Sequence, residues 1–422
     1  MKIKKIQLKN GLRVVLVPQP SSLAATVLIL VEAGSEYETK RINGLSHFLE
    51  HMTFKGTTTR PRPGMIAEEL AALGAQSNAF TTQEFTGYWA KVAAKKLPKI
   101  LEIVSDLYLN PLFVPEEIEK ERGVIIEELN MYEDMPQRKV QDVFLALLYG
   151  DQPAGWDVGG EKNIIRTLTR EDFIAYRDKH YVAPGTVVVV AGKFDEKAVV
   201  AQIRGAFAGL KRARVIAKPP TRESQKKPQV MVKFKESDQS HLVLGFRAFD
   251  IFDKRRYAVE VLADILGGGM SSRLFKKIRE ELGVAYSVHA SADLMLDHGI
   301  FGVSAGVDTT KTAIVIKAIL DECRRIARDL VPADELQRAK DHMTGGVVLG
   351  LETSDDLANY YGVGEILMKT LLPPEQLTDR IQKVTAAEVR AVARALFKNN
   401  GLNLAVIGPY RNKKAFETIL KL

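Results

Sequence analysis

The sequence of 422 residues contains a single cysteine, Cys323. That excludes an intrachain disulfide and any zinc site built from cysteine thiolates. Long apolar runs are missing as well: no stretch approaches the roughly 18 uninterrupted apolar residues that a membrane-spanning helix needs. The amino terminus, Met1-Lys2-Ile3-Lys4-Lys5, turns polar at once and runs into Asn10-Gly11, without the apolar core of a secretory signal. These absences lead us to expect a soluble, cytoplasmic protein with no membrane partner. A concentrated basic surface is also lacking. The formal net charge is +8, but the cations are scattered, apart from a run from Lys211-Arg212-Ala213-Arg214 to Lys226-Lys227. No aromatic-interleaved basic stripe accompanies them, so a solvated surface excess is expected and nucleic acid is not.

Histidine is scarce too, with seven in the chain, and two of them stand in one pattern: His47-Phe48-Leu49-Glu50-His51. On a helix, positions i and i+4 share a face and i+3 lies beside them. His47 and His51 can then reach one ion, while Glu50 sits next to the water that ion would bind. Neutral imidazole suits zinc, and catalytic zinc takes a third protein ligand and keeps one open position. Leu45, Phe48, Leu49 and Met52 make the same helix partly buried, and buried His and Glu side chains need partners.

The length exceeds one ordinary domain, and the spacing of motifs shows a duplication with an offset of about 216 residues. Val114-Pro115-Glu116-Glu117 and Val331-Pro332-Ala333-Asp334-Glu335 both carry a helix-start signature. Thr169 and Thr385 each open an amphipathic run that leads to a β-rich segment, and in both cases a glycine follows 23 residues later. The segment from Ala25 to Val31 likewise matches that from His241 to Phe246. We therefore expect an α+β protein of two homologous halves, 1–210 and 229–422, joined by a Lys-, Arg- and Pro-rich linker over 211–228. The Lys4–Leu8 and Arg13–Pro18 stretches around Asn10-Gly11 read as a hairpin. Each half should thus be a mostly antiparallel sheet with helices packed on one face. At the duplication offset, His47, His51 and Glu128 correspond to Ala263, Gly267 and Gly345. Residues required only by the fold would recur in both halves, and these do not.

Candidates for the third ligand lie between Glu116 and Leu129. Glu121, Ile125 and Glu128 fall at i, i+4 and i+7 and share a face near the apolar stripe, whereas Glu127 points off it. Glu128 is the expected ligand, with Glu121 behind it orienting a histidine.

Together, His47-Phe48-Leu49-Glu50-His51, Glu121 and Glu128 resemble the inverted zinc motif of the pitrilysin/insulinase metallopeptidases. The resemblance covers nearly the whole chain and selects Glu128 by spacing. Asn78-Ala79-Phe80-Thr81-Thr82 resembles the edge-strand segment that pairs with substrate backbone, which makes Asn78, Ala79 and Phe80 substrate-binding residues. Gly267-Gly268-Gly269-Met270-Ser271-Ser272-Arg273-Leu274-Phe275 and Gly283-Val284-Ala285-Tyr286 resemble the second-half signature. There an Arg and a Tyr reach the active site, and here they are Arg279 and Tyr286. What the resemblance implies is a zinc-dependent endopeptidase with one Zn2+ per chain, acting on peptides or unfolded protein segments in an enclosed chamber. Glu50 would act as general base and Tyr286 would stabilise the oxyanion. Since one chain holds both the zinc motif and the Arg–Tyr pair, a homodimer is implied. The rival is a non-catalytic or regulatory subunit of a peptidase-like hetero-oligomer; such subunits lose Glu50 or a ligand, and this chain keeps all of them.

Overall fold

In a computed structural model of the chain, residues 3–422 are described. They form two compact packing units, each built around one sheet. The first sheet contains β1 (Lys4–Gln7), β2 (Arg13–Pro18), β3 (Ala24–Val31), β4 (Gln76–Thr81), β5 (Thr86–Ala93) and β6 (Thr186–Gly192). Their order is β1-β2-β6-β3-β5-β4, antiparallel except for the parallel pair β2–β6. The hairpin expected at Asn10-Gly11 is present. Gly11 takes a positive φ of 96°, and the Asn10 side chain accepts from the Leu12 amide at 3.2 Å.

Alternation along the central strands decides what covers this sheet. Val14, Leu16, Val27, Ile29, Val188 and Val190 face the helices Leu45–Thr53, Leu97–Leu109, Arg170–His180 and Glu196–Ala206. Their neighbours Val15, Val17, Leu28, Leu30, Val187 and Val189 face the other way and are equally buried. They pack against Leu357, Ala358, Tyr361 and Ile366 of the helix Ser354–Met368, which comes from the far half of the sequence. Gly362 allows the close approach: a Cβ there would meet Leu30 at 2.9 Å and Leu28 at 3.1 Å. Polar contacts fix the docking. Thr26 and Ser354 hydroxyls lie 2.8 Å apart, Lys91 pairs with Asp355 at 2.6 Å, and the Arg13 guanidinium donates to the Glu365 carbonyl at 2.9 Å and to its buried carboxylate at 3.1 Å.

The second sheet contains β7 (Gln229–Phe234), β8 (Gln239–Ala248), β9 (Ala285–Leu294), β10 (Gly299–Asp308) and β11 (Leu402–Gly408), in the order β7-β11-β8-β10-β9. Only β7–β11 is parallel. One face packs on the helices Arg256–Gly267, Thr312–Arg328 and Ala386–Leu396. The other is covered by Val140, Val143, Phe144 and Leu148 of the helix Pro136–Tyr149, a segment of the first sequence half. The repeat is visible in detail: Thr169 with Asp172, and Thr385 with Glu388, form capping boxes at corresponding helices.

The structure is therefore α+β with two similar sheets. Helices from the same half cover one face of each sheet, and a single helix from the other half covers the second face. Sequence halves and packing units are not the same division. Asn130–Trp156 packs with the second unit and Leu349–Leu372 with the first, while residues 211–228 contain no helix or strand. The physical reason is that both faces of each sheet are apolar, and each needs cover on both sides. Among the described residues, no helix is long and apolar enough to cross a membrane.

Candidate metal centre

The helix Leu45–Thr53 buries Leu45, Phe48, Leu49 and Met52 in the first core and leaves His47, Glu50 and His51 on its half-buried face. Its N-cap, Gly44, has φ 94°, and a Cβ there would come within 2.6 Å of the Gly159 carbonyl oxygen, so only glycine fits. Glycine has no side chain to cap the helix. Glu38 supplies that function from outside: its carboxylate accepts from the Ser46 amide at 2.6 Å, the Gly44 amide at 2.8 Å and the Asn43 side-chain amide at 3.2 Å. A carboxylate at a helix N-terminus satisfies otherwise unpaired amides and complements the macrodipole. Burial nevertheless pushes the Glu38 carboxyl up to about 7, against the lowering effect of those hydrogen bonds.

The second contributing helix, Pro115–Asp134, buries Ile118, Ile125 and Leu129 and turns Glu121 and Glu128 toward the motif; Glu127 is exposed. Glu128 Oε2 lies 3.7 Å from His47 Nε2 and 3.5 Å from His51 Nε2. One donor atom from each of the three residues falls within 4.8 Å of the others. Two atoms each about 2.1 Å from a tetrahedral ion lie roughly 3.4 Å apart. Two imidazole nitrogens and a carboxylate oxygen at these separations therefore fit a zinc ion.

Around these donors the chain supplies orienting groups. Glu121 Oε1 is 2.9 Å from His51 Nδ1, and the same carboxylate pairs with Lys55. A carboxylate on Nδ1 keeps the proton there and directs the Nε2 lone pair outward. Burial acts to raise the Glu121 carboxyl, but its bonds to His51 and Lys55 outweigh that and hold it below the usual range. Glu50 accepts a hydrogen bond from the Thr81 hydroxyl at 2.6 Å. Burial raises the Glu50 carboxyl, helped by the charge of Glu128 and opposed by Thr81 and His51.

Thr81 ends β4, whose outer edge is unpaired among the described residues. On this strand Asn78 is exposed, Ala79 is buried and Phe80 is half-buried, opposite Trp89, Tyr88 and Gly87 of β5. The Asn78 side chain accepts from the Ala79 amide at 2.9 Å.

The second sequence half carries no matching donors at the positions equivalent to His47, His51 and Glu128. Gly267 packs so closely on β9 that a Cβ would lie 2.4 Å from the Ala290 nitrogen. Arg279 and Tyr286 are brought to each other in the second unit. Arg279 lies in a π-helix, Phe275–Glu281, and donates to the Tyr286 carbonyl, with its guanidinium 5.2 Å from the Tyr286 ring centre. Tyr286 is the second residue of β9 and is 77% exposed.

Sequence reasoning did not find two groups near the motif. Thr81 lies in the segment 78–82, and strand alternation places it on the same face as Ala79, toward the motif helix. Glu38 carried no signal, being one of three acids, with Glu32 and Glu36, in the stretch before Gly44.

Known proteins give the context. Residues 13–161 match the model for insulinase, peptidase family M16, and residues 167–343 match the one described as the peptidase M16 inactive domain. An uncharacterized zinc protease of Streptomyces coelicolor is 36% identical over 419 residues, spanning 98% of this chain and 91% of that protein. An uncharacterized zinc protease of Bacillus subtilis is 31% identical over 412 residues, spanning 97% and 99%. Among solved structures, a protease from Helicobacter pylori matches with a TM-score of 0.90 at 23% identity, covering 97% of this chain and 99% of that one. A peptidase M16 inactive domain from Pseudomonas fluorescens gives 0.89 at 19% identity, with the same coverage. These two structures bear on the fold, and the near-full-length relatives and family models on descent: the chain belongs to the insulinase family of peptidases, M16.

Proposed function

We propose that the protein is a zinc-dependent endopeptidase, with His47, His51 and Glu128 holding one Zn2+ per chain. The observation that carries the reading is the convergence of three donors from two helices, with the Glu50 carboxylate alongside them. Bound zinc would supply a Lewis acid that makes water acidic enough to lose a proton near neutrality and polarises a carbonyl.

The chain's own groups do the rest. Glu50 takes a proton as a water oxygen attacks the scissile carbonyl carbon, and returns it to the amide nitrogen as the C–N bond breaks. Glu121 keeps His51 in the tautomer that presents Nε2. The open edge of β4 suits an extended backbone, which adds to a sheet by main-chain hydrogen bonds and so tolerates varied side chains. That favours peptides and unfolded segments over folded proteins, with Asn78, Ala79 and Phe80 along the contact. Arg279 and Tyr286 enter through the family resemblance, as groups that hold substrate and stabilise developing negative charge; the Tyr286 phenol is open to solvent. Assembly as a homodimer is part of the same proposal.

Metal analysis of the full chain, combined with digestion of an unstructured peptide mixture and light scattering, tests it. The reading expects one zinc per chain, cleavage lost to a chelator and restored by zinc, and a mass of two chains. Chelator-resistant cleavage would remove zinc from the account, and absence of cleavage by zinc-loaded protein would remove the peptidase.

A further inference from the structure

Thr81 makes one contact that the proposed function does not use. Its hydroxyl donates to Glu50 Oε2 at 2.6 Å, and the geometry around it is rigid. Along β4, Ala79 and Thr81 point to the face that carries the motif helix, while Phe80 points to the opposite face and packs edge-on to Phe85, with ring centres 6.0 Å apart. Just beyond Thr81 the chain is pinned on both sides of the turn. The Thr82 amide and hydroxyl both donate to the Phe85 carbonyl, at 2.9 and 2.8 Å. The Ser35 amide donates to the Thr82 carbonyl at 3.1 Å, and the Glu36 amide to that of Gln83 at 2.8 Å. The Thr81 oxygen is therefore a fixed donor.

Glu50 is the opposite case. It is a long side chain whose terminal carboxylate torsion is soft, with no intrinsic preference sharp enough to aim one oxygen at a reacting atom. A single strong hydrogen bond to Oε2 sets the plane of the carboxylate.

We infer that Thr81 is a positioning residue for the reaction: it aims the Glu50 carboxylate and ties that aim to the strand whose edge receives the substrate. The inference rests on the reading of Glu50 as the general base. It adds that β4 has two duties, since the strand proposed to pair with an extended peptide ends in the residue that orients the base. A peptide seated one register too far along β4 would be presented to the same base from a displaced position, so the contact also links substrate register to turnover.

The test compares kcat and KM for the full zinc-loaded chain and its Thr81→Val, Thr81→Ala and Thr81→Ser variants on one unstructured peptide, with zinc content and thermal midpoint measured for each. Thr81→Val keeps the shape and removes the donor. The expected result is a fall in kcat of about ten- to a hundred-fold for Val and Ala, with KM within about threefold and zinc still stoichiometric. Thr81→Ser, which restores the hydroxyl, is expected to recover kcat to within about threefold of the parent. A Val variant with parental kcat overturns the inference. So does a loss that Ser shares with Val, or a loss that appears in KM rather than kcat, because either marks a packing or binding role. The Ala variant carries the same readout if Val does not fold. Glu50→Gln measured alongside separates the two levels: full activity there removes the general base itself, whereas a dead Glu50→Gln beside an unaffected Thr81→Val removes only the role of Thr81.

Discussion

At the residue scale, His47, Glu50 and His51 share one face of a short helix, and Glu128 turns its carboxylate toward the two imidazoles from a second helix, 3.7 and 3.5 Å from their Nε2 atoms. His47, Glu50 and His51 were legible because their mutual geometry is local, fixed by 3.6 residues per turn. Glu128 could be separated from Glu127 for the same reason: one faces the motif and the other is exposed. Thr81 and Glu38 were not legible, because each meets its partner through the fold rather than through spacing, and no periodicity links a strand end or an upstream loop to a helix.

Glu38 leads to a prediction of its own. Burial raises its carboxyl from an ordinary 4.5 to about 7, so between these values the folded state binds a proton that the unfolded state has lost. The folded state is thus favoured at the acid end, and the contribution is lost as pH rises from 4.5 through 7; over that window it is on the order of 3 kcal/mol. Glu38→Gln keeps an acceptor for the helix amides and cannot ionise. Urea midpoints of parent and variant at pH 5, 6, 7 and 8 should therefore diverge, with the variant gaining on the parent as pH rises. Parallel profiles would show that Glu38 does not titrate in this range.

Among the elements, the hairpin at Asn10-Gly11, the two proline-initiated helices and the capped helices after Thr169 and Thr385 all stand where their local signals put them. The exchange of helices was not legible. Nothing in the pattern of Ser354–Met368 says that its apolar residues pack on the sheet of the first sequence half. The clue was indirect: Val187 to Val190 is an uninterrupted apolar run, which asks for cover on both faces of the strand. Residues 1–210 produced alone would expose Val15, Val17, Leu28, Leu30, Val187 and Val189, each forgoing roughly 1.5–3 kcal/mol of burial. Such a fragment is expected to elute as aggregate in size exclusion, the more so because Val140, Val143, Phe144 and Leu148 would also lack the second sheet they pack on. A monodisperse, cooperatively unfolding 1–210 fragment would contradict the account of that face.

For the molecule as a whole, duplication followed by divergence explains why one sheet carries a donor set and the other does not. The fold requires the repeated strands, caps and helix starts, so both halves keep them. It does not require His47, His51 or Glu128, whose second-half positions hold Ala263, Gly267 and Gly345. Membership of the insulinase family accounts for the architecture and gives the chain a peptidase-like role. The catalytic reading depends on two separable properties of one helix, a pair of histidines that hold metal and a glutamate that moves a proton. The most direct measurement is zinc content and peptide turnover on the same preparations of the parent, Glu50→Gln and His51→Ala. The account predicts that Glu50→Gln keeps one zinc per chain and loses turnover, while His51→Ala loses both. A Glu50→Gln protein that still cleaves, or a His51→Ala protein that keeps stoichiometric zinc, would contradict it.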